Sequence, residues 1–123
     1  MKWARAGAVA MALAVACGAF GAHGLEARLT PEALEWWSTA ARYHAWHGLG
    51  LFAVAWMSDR VASPRRVSIA GWALCIGLVL FSGSLYLMAL TGHRWLGAIT
   101  PLGGTAWIVA WIVLAGAARK APQ

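Results

Sequence analysis

Residues 67–92 and 95–118 contain no Asp, Glu, Lys or Arg, and only His93 and Arg94 stand between them. A helix rises about 1.5 Å per residue and the hydrocarbon core of a bilayer is about 30 Å thick, so roughly 20 apolar residues cross it. The two runs therefore predict a transmembrane hairpin, with spans at 67–91 and 100–118. The second of these begins at Thr100-Pro101, an N-cap followed by proline in the first turn. A start at Trp95 would put Pro101 inside the helix and kink it.

Two further elements precede the hairpin. Residues 6–24 are apolar and rich in Ala and Gly. Their opening, Met1-Lys2-Trp3-Ala4-Arg5, has the form of a secretory signal, and Ala14-Val15-Ala16-Cys17 is similar to a lipoprotein cleavage site. The apolar stretch nevertheless continues through Phe20 to Ala22. Ala6, Ala10, Ala14, Gly18 and Ala22 recur every four residues, the spacing of a smooth face for close packing, so the segment reads as a retained span. The next element opens at Thr30-Pro31-Glu32, again a cap, a first-turn proline and an acid that complements the helix dipole. Glu32, Glu35, Thr39 and Arg42 share one helical face, while Leu34, Trp37 and Ala41 lie on another. Residues 31–42 therefore read as an amphipathic extension on the membrane surface, and the same helix continues as a span at 41–58. A polar loop over 59–66 contains Ser63-Pro64, where helix propagation stops.

Composition agrees with this pattern. The 123 residues make one domain, 61% hydrophobic and 11% charged, where a soluble domain carries about 25% charged residues. A net charge of +6 invites a nucleic-acid reading. The basic residues, however, sit at the ends of apolar runs and form no stripe with interleaved aromatics, so nucleic acid is excluded as a partner. Lys2, Arg5, Arg60, Arg65, Arg66, Arg119 and Lys120 fall on one side of a four-span arrangement, and Arg28, Arg42 and Arg94 on the other. Positive charge gathers on the cytoplasmic side, which predicts that both termini are cytoplasmic. Tryptophans follow the same division, with Trp36, Trp37 and Trp95 at the outer interface and Trp3, Trp56 and Trp72 at the inner one. Cys17 and Cys75 lie inside apolar runs and read as packing residues, not as a disulfide framework.

Four ordered motifs carry a family resemblance. They are Gly18-Ala19-Phe20-Gly21-Ala22-His23-Gly24-Leu25, Tyr43-His44-Ala45-Trp46-His47, Phe81-Ser82-Gly83-Ser84-Leu85-Tyr86 and Thr100-Pro101-Leu102-Gly103-Gly104. In order and spacing the chain resembles the family called domain of unknown function 423, related to transmembrane protein 256, over nearly its whole length. The resemblance implies a small four-span membrane protein, placed in the inner membrane in bacteria, with no assigned biochemical activity. It also puts His44 at a position where relatives can carry Gln, which shifts the weight of any imidazole chemistry to His47 and His23.

All four histidines fall toward the outer side. His44 and His47 share a helical face, and His47 lies near the middle of the hydrocarbon. An unpaired polar group there costs several kcal/mol, so the ring faces the bundle interior and takes a partner. Ser82, Ser84, Tyr86 and the carbonyls around Gly21 to Gly24 are the expected partners. One reading makes His23, His44, His47, Ser82, Ser84, Tyr86 and Thr100 a polar site, for proton or solute transport or for a haem, a metal or a quinone. The other makes them hydrogen bonds that hold helices together. No Cys-x-x-Cys-His haem attachment, His-Glu-x-x-His zinc helix, phosphate loop or nucleophile elbow supports a catalytic or cofactor assignment. Ala10, Ala14, Gly18, Ala22, Gly83, Gly103 and Gly104 read as helix-packing positions. The alternative at Thr100 to Gly104 is a helix N-terminus that binds an anionic group.

The expectation is an all-α integral membrane four-helix bundle in a bacterial inner membrane, with no cofactor, metal or catalytic residues. Its expected role is a non-catalytic scaffold or accessory subunit, with the lipid bilayer and a homo-oligomer or larger membrane complex as partners. A small transporter, channel or proton relay through His23 and His47 is the alternative function, and cofactor binding the third.

Overall fold

The computed structural model describes residues 1–118, and its regular elements are all helical. Arg119 and Lys120, counted above for orientation, lie outside the described residues. Helix α1 (Lys2–Phe20) is prolonged by a π turn over Gly21–Leu25, and α2 spans Pro31–Met57. Helix α3 (Pro64–Gly77) passes through a π turn, Leu78–Gly83, into α4 (Ser84–Thr91). A 3-10 segment, Arg94–Ala98, leads into α5 (Thr100–Ala117). The result is four rods. Three of them, Lys2–Leu25, Pro64–Thr91 and Arg94–Ala117, are long and apolar enough to cross a membrane. The 27 residues of α2 rise about 40 Å, also sufficient in length, but Arg42, His44 and His47 make the helix less apolar.

Local chemistry sets the ends of these rods. The Thr30 hydroxyl accepts a hydrogen bond from Ala33 N at 3.2 Å, and Pro31 opens α2 as expected. No break separates 31–42 from the rest of α2, so the amphipathic stretch and the residues after it form one continuous helix, as the sequence reading has it. The expected cap at Thr100 is absent. Ile99 occupies the cap position with no side-chain bond, Thr100 is already helical, and its hydroxyl is taken by Ser84. Gly92, at φ +74°, ends α4 in the left-handed conformation that glycine adopts without a Cβ clash, and its N–H returns to Met88 O at 2.8 Å.

Trp3, Val54, Val67 and Ala117 belong to one cluster, which brings the start of α1, the end of α2, the start of α3 and the end of α5 together. This end also carries Lys2, Arg5, Arg60, Arg65 and Arg66 and is called the basic end below. At the far end, Leu25, Ala33, Trp37 and Ala89 pack together. Helix α2 touches α1, α3 and α4 and is the centre of the bundle.

The small-residue face of α1 differs from the four-residue spacing read above. Trp3, Gly7, Ala10, Ala14 and Gly21 are buried, whereas Gly18 and Ala22 are exposed. A helix has 3.6 residues per turn, so positions four apart drift about 40° at each step and leave the interface after three or four steps. In the third rod the buried stripe of Val67, Ala70, Gly71, Leu74 and Gly77 resumes at Ser82, a five-residue step that coincides with the π turn. Trp3 lies in the cluster at the basic end and Trp37 in the cluster at the far end, and both are buried against neighbouring helices. Trp37 lies over Gly21 and Trp3 over Gly71, where a Cβ would stand 2.5 Å and 2.6 Å from the indole rings. Trp56, Trp72 and Trp95 are exposed.

Candidate functional site

The interior of the bundle is aromatic and sparingly polar, and α2 supplies most of it. The His47 Nδ1 lies 2.7 Å from the Tyr43 carbonyl one turn earlier. A carbonyl only accepts, so Nδ1 carries the proton and the ring is tied to its own helix. The imidazole lies flat on Trp107 of α5, with centroids 3.6 Å apart and planes 4° apart. Trp107 Nε1 in turn donates to Leu74 O on α3 at 3.1 Å. Gly77 makes this possible, because a Cβ there would overlap the Trp107 indole. Tyr43 and Phe81 complete the aromatic group, with centroids 5.0 Å apart.

His44 faces a different neighbour. Its Nδ1 lies 3.0 Å from the Tyr86 hydroxyl on α4. The Ala10 carbonyl of α1 stands beside the same ring, and the Cys17 side chain beside Tyr86. Trp37 stacks at a tilt on Tyr86, centroids 4.5 Å apart, and donates from Nε1 to Cys17 O at 2.7 Å. That carbonyl lies just before the π turn that ends α1.

The serines close the remaining gaps. Ser82 Oγ donates to Ala40 O at 2.8 Å, joining the π turn of the third rod to α2. Ser84 Oγ donates to Phe81 O at 2.9 Å and lies 2.6 Å from Thr100 Oγ1. A hydroxyl has one proton, so Thr100 is the donor in the second bond, which ties α5 to α4. Gly103 sits at the tightest crossing, where a Cβ would overlap Phe81 N and lie 2.9 Å from the Leu80 carbonyl carbon. Gly104 and Gly83 stand looser, with nothing nearer than 3.7 Å and 3.9 Å respectively.

His44, His47, Ser82, Ser84, Tyr86 and Thr100 therefore all lie between helices, in two groups. His23 joins neither. It is exposed in the turn after α1, and the pairing of His23 with His47 in one pathway finds no counterpart in the structure. His93 is also exposed. Among the described residues no fully buried side-chain nitrogen or oxygen lacks a hydrogen-bond partner. None of their His, Cys, Asp and Glu side chains gather in threes as metal ligands would. At the far surface Arg94 meets Glu32 at 2.7 Å, with both side chains more than half exposed, and lies over the Trp36 ring. Such an exposed pair is worth under about 1 kcal/mol.

Sequence reasoning missed Tyr43, Trp37 and Trp107 as parts of this interior, while it reads Cys17 as a packing residue. A usable signal existed for one of them. Trp107 follows Gly103 by four residues, so the two share a helix face.

A family model described as "Protein of unknown function (DUF423)" matches residues 17–104. The UPF0382 membrane protein YwdK of Bacillus subtilis is 50% identical over 114 residues, 93% of each chain. A UPF0382 membrane protein of Staphylococcus epidermidis is 47% identical over 114 residues, 93% of this chain and 92% of its own. One from Haemophilus influenzae is 43% identical over 101 residues, 82% and 80% of the two chains. No solved structure matches. With the four ordered motifs, the four helical rods and these relatives in agreement, the chain belongs to the DUF423 family of membrane proteins.

Proposed function

We propose that this protein is a non-catalytic scaffold or accessory subunit that works through its outer surface in the plane of the membrane. The supporting observation is the pairing of its interior: buried imidazole, hydroxyl and indole groups are bonded to one another or to backbone carbonyls within the chain. Groups so engaged hold helices together and leave little for a substrate to bind. The links between rods are short, at 26–30, 58–63 and 92–93. What remains for a partner is the lipid-facing side, including Ala8, Ala12 and Ala16 on α1, all exposed and four residues apart. Small residues at that spacing let a second helix approach closely.

The same reading places the chain in the bacterial inner membrane with both ends cytoplasmic. Support comes from the basic end, where Lys2, Arg5, Arg60, Arg65 and Arg66 oppose Arg28, Arg42 and Arg94. Extraction from native membranes in a mild detergent, followed by mass measurement of the complex, tests the function. The expected result is an assembly larger than the 13.1 kDa chain, reduced to the single chain by Ala12→Leu without loss of helix content. A strictly monomeric wild type with no co-purifying protein overturns it.

A further inference from the structure

The bundle is closed on the α5 side and open between α1 and the third rod. A groove of about 660 Å³ runs there, with Val9 and Leu13 on one wall and Leu78 and Val79 on the other. Its size falls in the range of small-molecule sites, roughly 300–1,000 Å³. It begins at Arg5 and ends at Cys17, His44 and Tyr86. From Arg5 to Cys17 the helix rises about 18 Å, close to the roughly 15 Å depth of one leaflet's hydrocarbon. The groove thus follows the course of a single acyl chain from the basic end to the bilayer's middle.

The chemistry along it narrows the occupant. Arg5, at the mouth, brings the single charge of the lining, and among the described residues no carboxylate pairs with it. A guanidinium offers a planar fork of donors that matches a phosphate, and Lys2, Arg65 and Arg66 add positive charge at the same end. The walls between are aliphatic. At the closed end, the His44 Nδ1–Tyr86 hydroxyl bond uses one of the pair's two protons, and the Ala10 carbonyl beside the ring and Cys17 beside the hydroxyl stand ready for the other, so the pair is engaged within the chain and not offered to a quinone carbonyl. We propose that the groove holds one acyl chain of an anionic phospholipid from the leaflet at the basic end, with its phosphate on Arg5. The site does not depend on the scaffold reading.

Native mass spectrometry tests this after reconstitution in vesicles of equal phosphatidylglycerol and phosphatidylethanolamine and release in a mild detergent. The wild type is expected to carry phosphatidylglycerol in clear excess over phosphatidylethanolamine. Arg5→Gln, at an exposed residue, should lose that excess. Arg28→Gln, at the far end, should keep it. Gly83→Leu, whose side chain has room and would enter the groove, should carry neither lipid. Equal retention of both lipids by the wild type, an unchanged preference in Arg5→Gln, or recovery of a prenylquinone or second copy of the chain in the groove overturns the proposal.

Discussion

Two seams of this bundle are built on opposite plans. Between α3 and α5, glycines receive large rigid groups: Trp107 fills the space over Gly77, and Gly103 rests on the backbone at Phe81. Between α1 and the third rod, contact is confined to the ends, through Trp3 on Gly71 and Cys17 beside Tyr86, and the middle stays open as the groove. In lipid, apolar burial gives helices no net drive to associate, so close packing and hydrogen bonds must hold them. The first seam uses both along its length. The second uses them at two points and leaves its centre for the surrounding solvent, which is lipid.

This contrast can be broken most severely at Trp107. Trp107→Ala removes the ring under His47 and the bond to Leu74 O, and should cost about 3 kcal/mol, the low end for such truncations because lipid reduces the transfer part. Reversible unfolding in mixed micelles measures it. Gly103→Val comes next, at about 1–3 kcal/mol, since backbone at Phe81 cannot yield to a new side chain. Ser82→Ala deletes one interhelical bond and should cost about 0.6 kcal/mol, read in the same assay. On the groove side, Gly83→Ala meets nothing nearer than 3.9 Å, so its effect should stay below about 1 kcal/mol. If Gly83→Ala proves as damaging as Gly103→Val, the two seams are not different in kind.

The sequence made the rods legible because charge-free runs, Pro31 and the Thr30 cap are local signals. It also turned His44 and His47 toward the bundle interior with Ser82, Ser84 and Tyr86 as candidate partners, since polar groups in lipid must find them, whereas it read Thr100 as a helix cap. It did not show which partners. His47 bonds its own helix and stacks on Trp107, and nothing in an apolar run marks the π turn that rotates Ser82 inward. Gly18 and Ala22 were misplaced because a four-residue repeat drifts around a 3.6-residue helix. His23 was grouped with His47 by side of the membrane alone, which does not fix a helix face.

The central claim is that the buried histidines are engaged inside the bundle, His44 by its bond to Tyr86 and His47 by its own helix and the stack on Trp107. Proton flux into liposomes carrying the wild type or His47→Gln measures this directly. Flux in both samples should equal that of protein-free vesicles. A wild-type flux well above that background, abolished in His47→Gln while the variant stays folded, would contradict it.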